Sequence, residues 1–149
     1  MEQVTTENAS GRILDYNLKA ELEHGIYVSL LAAATATDMN LPEEEVKTIT
    51  LAGLVHDVGK LRLKVDMEAD DEHRRFITEE LKHVRGHARQ SYEWLKDRGF
   101  PEEVLEIVMN HHENYDGSGY PNKLVGEMIP LGARVIRVCD VFAALTSDR

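Results

Sequence analysis

Cysteine is almost absent from this chain of 149 residues. Its only cysteine, Cys139, has no second thiol in the chain to pair with, and sulfur cannot dominate a metal site. A lone cysteine inside an apolar run, residues 135–139, is typical of a buried small side chain in a reducing compartment. The composition therefore favours the cytoplasm and leaves histidine and carboxylate side chains as the candidate metal ligands.

Aromatic residues and long apolar runs are also scarce. Aromatics make up 6% of the chain and hydrophobic residues of all kinds 42%, so aliphatic side chains must do most of the packing. The length suffices for one domain with a real core, over residues 1–149. The longest mostly apolar stretch, residues 26–37, is too short to span a bilayer, and residues 1–10 are polar, without a signal-peptide core. We therefore expect no membrane insertion.

Net positive charge is missing as well. The chain has 17 basic and 27 acidic residues, which gives a formal charge of −10. A surface of this sign repels polyanions, so a general binder of nucleic acid polymers is excluded. A small phosphate compound can still bind where metal ions or local basic residues reverse the field. The acidic surface and the length are compatible with a homodimer as well as with a monomer.

Apolar residues recur at helical spacing along the chain, and no segment alternates convincingly as a strand. We predict helices over residues 12–38, 42–58, 78–97, 101–112 and 131–145. Pro42, followed by three glutamates, is typical of a helix start, Gly59 of a helix end, and Thr78 of a capping residue. Residues 61–76, crowded with charges, and residues 113–130 are predicted to be loops. The pattern indicates an all-α fold.

Histidine and aspartate residues cluster near the ends of these predicted helices. The candidates are His56, Asp57, His87, His111, His112 and Asp140. Imidazole nitrogen and carboxylate oxygen together suit Fe, Mn, Zn or Co. Neighbouring residues on a helix point about 100° apart, so two adjacent ligands can hardly serve one ion, whereas two ions could share each pair. Asp57 is our candidate for the bridging carboxylate, and a bridging water would be acidified into a nucleophile.

A structural interpretation competes with this one. A single His-Asp or His-His pair is more often core or surface than functional. His24, His73 and His83 have only their residue type in their favour. His73 lies in a solvated charge cluster, and His83 lies four residues before His87, a spacing that could hold one ion, although an exposed or core-capping role is favoured.

Four short motifs follow one another along the chain. They are His56-Asp57-Val58-Gly59-Lys60, then His87, then HHENYDGSGYP over residues 111–121, and finally Asp140 with LTSDR at 145–149. From about His24 to Arg149 the chain resembles the HD-GYP subgroup of the HD-domain phosphohydrolases. HD alone is a weak motif, but HD-x-GK followed by HHE, DGSGYP and a late aspartate is specific.

The resemblance implies a bundle of five to seven helices around a centre of metal ions, and hydrolysis of cyclic di-GMP to linear pGpG or GMP. It implies that the ligands of two divalent ions are His56, Asp57, His87, His111, His112 and Asp140. Iron or manganese is expected first, with zinc, nickel or cobalt as alternatives. It also implies catalytic roles for Asp57 and Lys60, contacts from Lys60 and Arg149 to substrate phosphates, and a loop of Gly119, Tyr120 and Pro121 beside the site.

The chain departs from the family pattern in several places. Ala20 stands where a glutamate accompanies a third metal ion, so His24 either contacts the site or merely packs. Residues 61–71 differ from the family, and the chain ends at Arg149 where the family continues, so we expect C-terminal helices to be missing. Two alternatives therefore stay open: a phosphohydrolase acting on another nucleotide or phosphoester, and a non-catalytic signal-transduction module that binds a ligand or a signalling protein.

Overall fold

The structure is a computed structural model that describes residues 18–62 and 74–146, with side chains over 19–61 and 85–146. Its helices are α1 (Leu18–Asp38), α2 (Glu43–Val55), α3 (Arg74–Lys96), α4 (Glu102–Asn110) and α5 (Leu131–Thr146), with 3₁₀ turns at Val58–Arg62 and Gly126–Met128. The described residues contain no strand, and the predicted all-α fold is confirmed. His73, Arg149 and the side chain of His83 lie outside the described part.

The core lies where α1, α2, α4 and α5 pack on one another, with α3 against α4 and the first 3₁₀ turn. Its buried side chains are small or aliphatic, as the scarcity of aromatics predicted; they include Val28, Ala32, Ile49, Ala52, Leu105, Val108 and Ile136. At Gly25 a Cβ atom would lie 2.5 Å from the Leu54 carbonyl oxygen, so the backbones of α1 and α2 touch there. This contact brings the first helix beside the end of the second.

Two predicted helix boundaries were wrong. The third helix begins at Arg74 and not at Thr78, which lies inside α3 and is no capping residue. The second helix ends at Val55 and not near Val58. Its start agrees with the prediction, since Pro42 directly precedes a first turn that holds the three glutamates. No helix among the described residues is long and apolar enough to cross a membrane.

Gly59 does not terminate α2 but allows a close approach between two parts of the chain. It lies in the 3₁₀ turn Val58–Arg62, and a Cβ atom there would lie 2.3 Å from the His87 carbonyl oxygen. The Gly59 N–H also donates to the Ser91 hydroxyl at 2.8 Å. The turn after α2 therefore lies directly against the middle of α3, and His56 and Asp57 come to lie near His87.

Candidate metal centre

All six predicted ligands converge on one buried site. His56 and Asp57 directly follow α2, and His111 and His112 directly follow α4, so two helix ends meet there. The other ligand-type residues lie within α1, α3 and α5. His24, which the sequence left as either a site contact or a packing residue, also reaches the site. Each of these side chains is buried or half-buried.

One group of side chains is rich in imidazole. We call Asp57, His87, His111 and His112 the imidazole-rich group; their ligand atoms all lie within 4.8 Å of one another. The Nε2 atom of His87 lies 3.1 Å from Asp57 Oδ1, 3.3 Å from His111 Nε2 and 3.0 Å from His112 Nε2. Three ring nitrogens and one carboxylate oxygen therefore point to a common centre, the arrangement that a divalent cation needs.

A second group is richer in carboxylate. We call His24, His56, Asp57 and Asp140 the carboxylate-rich group, and their ligand atoms meet the same 4.8 Å limit. The Nε2 atom of His24 lies 2.9 Å from Asp140 Oδ1. The Nε2 atom of His56 lies 3.3 Å from Asp57 Oδ2 and 3.8 Å from Asp140 Oδ1. This group joins α1 and α5 to the end of α2.

Asp57 belongs to both groups, and its two oxygens face different ones. Oδ1 lies 3.1 Å from His87 Nε2 and 3.7 Å from His111 Nε2, in the imidazole-rich group. Oδ2 lies 3.3 Å from His56 Nε2 and 3.9 Å from His24 Nε2, in the carboxylate-rich group. A carboxylate that offers one oxygen to each side can bridge two ions, so this geometry fits the predicted role of Asp57.

The two histidines at the helix ends are held in the tautomer that metal binding requires. His56 Nδ1–H donates to the Gly53 carbonyl at 2.7 Å, and His111 Nδ1–H donates to the Val108 carbonyl at 2.6 Å. Both acceptors are carbonyls of the last helical turn, which lack an intrahelical partner. Because Nδ1 keeps its proton in this hydrogen bond, Nε2 is the nitrogen left to offer a lone pair to a metal ion, as in metal-binding histidines.

Buried polar atoms without hydrogen bonds also fit a cation. His56 Nε2 and Asp57 Oδ1 are both buried and have no hydrogen-bond partner in the structure. Such atoms are costly unless another group satisfies them. A divalent ion coordinated at these positions would satisfy both, so the donor set fits metal ions in each group.

Burial and charge give the two groups different protonation. Burial lowers the pKa of His56, but the negative charges of Asp57 and Asp140 outweigh it and raise the pKa to about 10. Burial and the neighbouring His111 and His87 lower the pKa of His112 to about 2. Burial opposes the ionisation of Asp140, yet its hydrogen bond with His24 and the nearby positive charge of His56 hold its pKa below the usual range. In the metal-free protein His56 is therefore protonated near neutral pH, whereas His111 and His112 are neutral.

Lys60 supplies a positive charge at the edge of the site. It lies in the 3₁₀ turn after α2, and its ammonium contacts Asp57 Oδ2. Burial opposes this charge, but Asp57 and the more distant Glu21 raise the pKa of Lys60 above its usual value. Glu21 lies one turn before His24 on α1 and has a buried Oε2 without a hydrogen-bond partner. Lys60 is therefore a charged group beside the Asp57 carboxylate.

The loop after α4 is anchored by the buried carboxylate of Glu113, only 2% of whose surface is exposed. Its oxygens accept hydrogen bonds from the backbone N–H groups of Asn122, Lys123 and Leu124, at 2.6, 3.0 and 3.1 Å. The loop therefore folds back onto the residue that follows His112. Sequence reasoning gave Glu113 no role of its own, because these partners lie nine to eleven residues away.

The loop over residues 113–121, which we call the signature loop, places Tyr120 over His112. The Tyr120 ring stacks on the His112 ring with centroids 4.8 Å apart and planes at 21°, and Pro121 follows through a cis peptide bond. Gly119 is buried, and a Cβ atom there would lie 2.3 Å from the Asn114 nitrogen. The lack of a side chain at this position therefore allows the loop to pack closely on itself. Asp116 accepts from the Ser118 N–H at 2.9 Å, the Asx turn predicted as the structural interpretation of that residue.

The signal that could have identified His24 is its place on the buried face of α1. His24, Val28, Ala32 and Ala36 are four residues apart and all buried. A histidine in such a stripe must find a polar partner inside the protein. Pattern alone could not distinguish a packed histidine from a ligand, because the partner, Asp140, lies 116 residues away.

Comparison with known sequences identifies a family. Residues 8–149 match the family model described as HD domain. The chain is 40% identical over 82% of its length to the cyclic di-GMP phosphodiesterase response regulator RpfG of Xanthomonas campestris. It is 37% identical over 85% to the cyclic di-GMP phosphodiesterase PA4108 of Pseudomonas aeruginosa, and 34% identical over 92% to the 3′3′-cGAMP-specific phosphodiesterase 1 of Vibrio cholerae. The chain spans 32%, 30% and 31% of these relatives.

Solved structures share the fold at lower identity. Bd1817, an HDG"Y"P protein of Bdellovibrio bacteriovorus, matches with a TM-score of 0.68 and 23% identity, over 85% of this chain and 41% of that one. The HD domain of the phosphodiesterase PgpH of Listeria monocytogenes, in complex with cyclic di-AMP, matches with a TM-score of 0.64 and 18% identity, over 88% of this chain and 70% of that one. Both matches agree with an all-α helical bundle.

Proposed function

The chain belongs to the HD-domain family, and we propose that it is a metal-dependent phosphodiesterase that hydrolyses cyclic dinucleotides. Cyclic di-GMP is the first candidate substrate, with linear pGpG or GMP as product. The observation that carries the proposal is Asp57, whose two oxygens face two separate ligand groups. A pair of ions joined by one carboxylate is the arrangement of two-metal hydrolytic sites. The named activities of the relatives support the same reaction class.

The proposed cofactors are two divalent ions, one in each ligand group. His24, His56 and Asp140 would hold one ion, and His87, His111 and His112 the other, with Asp57 shared. Mixed nitrogen and oxygen ligands suit Fe or Mn, and also Zn, Ni or Co. When bound, such ions would supply acidification of a water molecule and would offset negative charge on the phosphoryl group.

The protein's own residues bind and orient the phosphate. Lys60 keeps its positive charge beside Asp57, where its ammonium can pair with a phosphate oxygen once the carboxylate is engaged elsewhere. Tyr120 stacks on His112 and so borders the site. Gly119 and Pro121 shape that border through the backbone, and a contact from either to substrate stays a prediction. Arg149, proposed for a further phosphate contact, lies outside the described residues.

A second candidate keeps the chemistry and changes the substrate to a mixed cyclic dinucleotide. It is favoured by the 34% identical relative that is named for 3′3′-cGAMP. The ligand groups recognise phosphate and metal rather than base, so they accommodate either substrate. The two candidates therefore differ only in the residues that face the bases.

The test is an assay of the anaerobically purified chain loaded with Fe(II) or Mn(II). Cyclic di-GMP, 3′3′-cGAMP and cyclic di-AMP are offered separately, products are resolved by chromatography, and bound metal is counted by mass spectrometry. Asp57→Ala should abolish turnover, whereas Asp38→Ala, which removes an exposed carboxylate at the far end of α1, should not. Faster hydrolysis of 3′3′-cGAMP favours the second candidate, and a metal-loaded, folded chain that cleaves none of the three contradicts the proposal.

A further inference from the structure

Arg137 lies beside the candidate metal centre without belonging to either ligand group. It is half-buried on α5, one turn before Asp140. Its Nε–H donates to the Asn114 side-chain oxygen at 3.3 Å, and its Nη1 lies 3.3 Å from His112 Nδ1. A guanidinium is therefore held against the outer edge of a metal-ligand histidine.

The contact between Arg137 and His112 conflicts with the ligand role of His112. When a neutral imidazole gives its Nε2 lone pair to an ion, its proton sits on Nδ1, which then needs an acceptor. His56 and His111 meet this need with backbone carbonyls. Arg137 has five N–H donors and no acceptor, so it cannot be the corresponding partner of His112. With His112 bound to metal, two donors face each other.

An anionic oxygen would resolve this conflict, because it accepts from both groups. A guanidinium and an imidazole N–H are the donors that bind phosphate oxygens well. The chain carries a formal charge of −10, so an anion needs local positive charge. Arg85 adds to it, with its guanidinium carbon 5.6 Å from the centroid of the Tyr120 ring that stacks on His112. His112, Asn114, Tyr120 and Arg137 are all only half-buried, so solvent reaches this edge.

The position of this donor pair separates it from the reacting phosphate. Nδ1 lies on the side of the imidazole ring away from Nε2, which faces the ligand cluster. An anion held there is therefore not the group under attack. A cyclic dinucleotide carries a second phosphodiester group that does not react at the same time.

We propose that Arg137, together with the Nδ1–H of His112, binds the second phosphodiester group of a cyclic dinucleotide. This inference rests on the proposed function. Arg137 is then a specificity-determining residue, because it favours substrates with two phosphodiester groups over substrates with one. Its hydrogen bond with Asn114 ties it to the start of the signature loop, so the loop and α5 would hold the second phosphate jointly.

The test compares the wild-type chain with Arg137→Gln and Arg137→Lys. The first measurement is calorimetric binding of a slowly hydrolysed phosphorothioate analogue of cyclic di-GMP to the Mn(II)-loaded chain. The second is the ratio of kcat/KM for cyclic di-GMP to kcat/KM for bis(p-nitrophenyl) phosphate, which has one phosphodiester group. Lys47→Gln is the control, since it removes one exposed positive charge near the start of α2, at the end of that helix away from the site.

Arg137→Gln should weaken binding of the analogue by about tenfold or more, the effect of one lost charge-assisted hydrogen bond. The kcat/KM ratio should fall by a similar factor. Arg137→Lys should recover part of both losses, because lysine keeps the charge without the planar fork. Lys47→Gln should leave both measurements within about twofold of wild type.

Two results would overturn the inference: unchanged binding of the analogue in Arg137→Gln, or an equal loss for both substrates with less bound metal. The second result would mean that Arg137 only positions His112. If the wild-type chain binds the analogue in an Arg137-dependent way but cleaves no cyclic dinucleotide, the proposed function fails and this inference holds. If the wild-type chain cleaves the single phosphodiester but does not bind the analogue, the inference is wrong.

Discussion

The two ligand groups share one aspartate yet differ in charge. The carboxylate-rich group has two aspartates and two histidines, and the imidazole-rich group has one aspartate and three histidines. In the first, carboxylate charge raises the pKa of His56 to about 10. In the second, burial lowers the pKa of both His111 and His112. Histidine and aspartate therefore form one group in which the histidine pKa is raised and a second group in which two histidine pKa values are lowered.

The groups also differ in what surrounds them. The carboxylate-rich group is built by residues of α1 and α5 and by the pair that follows α2. The imidazole-rich group is bordered by the signature loop, through the stacking of Tyr120 on His112. The carboxylate-rich group is thus set apart by its charge, and the imidazole-rich group is set apart by its contact with the signature loop. The comparison predicts that each group responds to a different perturbation.

Asp57→Ala should have the largest effect, because it removes the one residue that both groups share. We expect bound metal to fall from about two ions per chain to less than one. Turnover should drop about a thousandfold or more, equivalent to about 4 kcal/mol of transition-state stabilisation. Metal counting by mass spectrometry and turnover of the best dinucleotide test this, with circular dichroism to confirm the fold. Two ions retained in Asp57→Ala would show that the groups do not depend on a shared bridge.

A matched pair of substitutions should separate the groups. His24→Ala removes a ligand from the carboxylate-rich group only, and His112→Ala removes one from the imidazole-rich group only. Each variant should keep about one ion and lose turnover about a hundredfold or more, since even outer partners of such ligands matter by roughly 10–100-fold. Each variant serves as the control for the other. If His24→Ala kept both ions, His24 would be a packing residue, as the sequence allowed.

The fold could be predicted from the sequence because helical periodicity is local information. All five helices were predicted, and the errors lie at their ends. The predicted start at Thr78 missed the first residues of α3, since a polar residue inside a charged helix looks the same as a cap. Gly59 was predicted to end a helix, whereas its lack of a side chain allows a close contact with the backbone of α3. Such a contact between distant segments leaves no periodic signal.

The site was predictable where a motif carries it and not where it depends on tertiary contacts. His56, Asp57 and His111 stand in recognisable motifs, and the structure brings them together. The acceptor role of Glu113 could not be predicted, because its partners are backbone groups of a loop that folds back on it. Arg137 had no signal either, since its contact with Asn114 spans 23 residues and depends on how α5 packs.

Glu113→Gln tests how much the signature loop contributes to the stability of the protein. An amide offers one acceptor oxygen, and its two N–H donors would face backbone N–H groups. The metal-free protein, prepared with a chelator, should therefore lose about 2 kcal/mol of unfolding free energy. Urea denaturation measures this. Glu127→Gln, an exposed change near the same loop, should stay within about 0.5 kcal/mol of wild type.

The same substitution should act on only one ligand group. Because the loop carries Tyr120 and Tyr120 stacks on His112, a loosened loop should weaken Mn(II) binding to the imidazole-rich group. The carboxylate-rich group has no such contact with Tyr120 among the stacked rings of the described residues, and its affinity should change less. Chelator competition on the His24→Ala and His112→Ala backgrounds measures the two affinities separately. Equal weakening in both would mean that the loop supports the whole centre.

The dependence of metal affinity on pH should show the clearest electrostatic difference between the two groups. A metal ion must displace the proton of His56, whose pKa in the metal-free chain is raised to about 10. Below that pH, affinity of the carboxylate-rich group should therefore rise about tenfold per pH unit as pH increases. His111 and His112 have lowered pKa values and hold no proton to displace near neutrality, so they add no such slope. Mn(II) titrations at about pH 6.5 and about pH 8.5, on His112→Ala for the first group and His24→Ala for the second, compare the slopes. Equal slopes would mean that the competing proton is shared through Asp57 and that the two groups titrate as one.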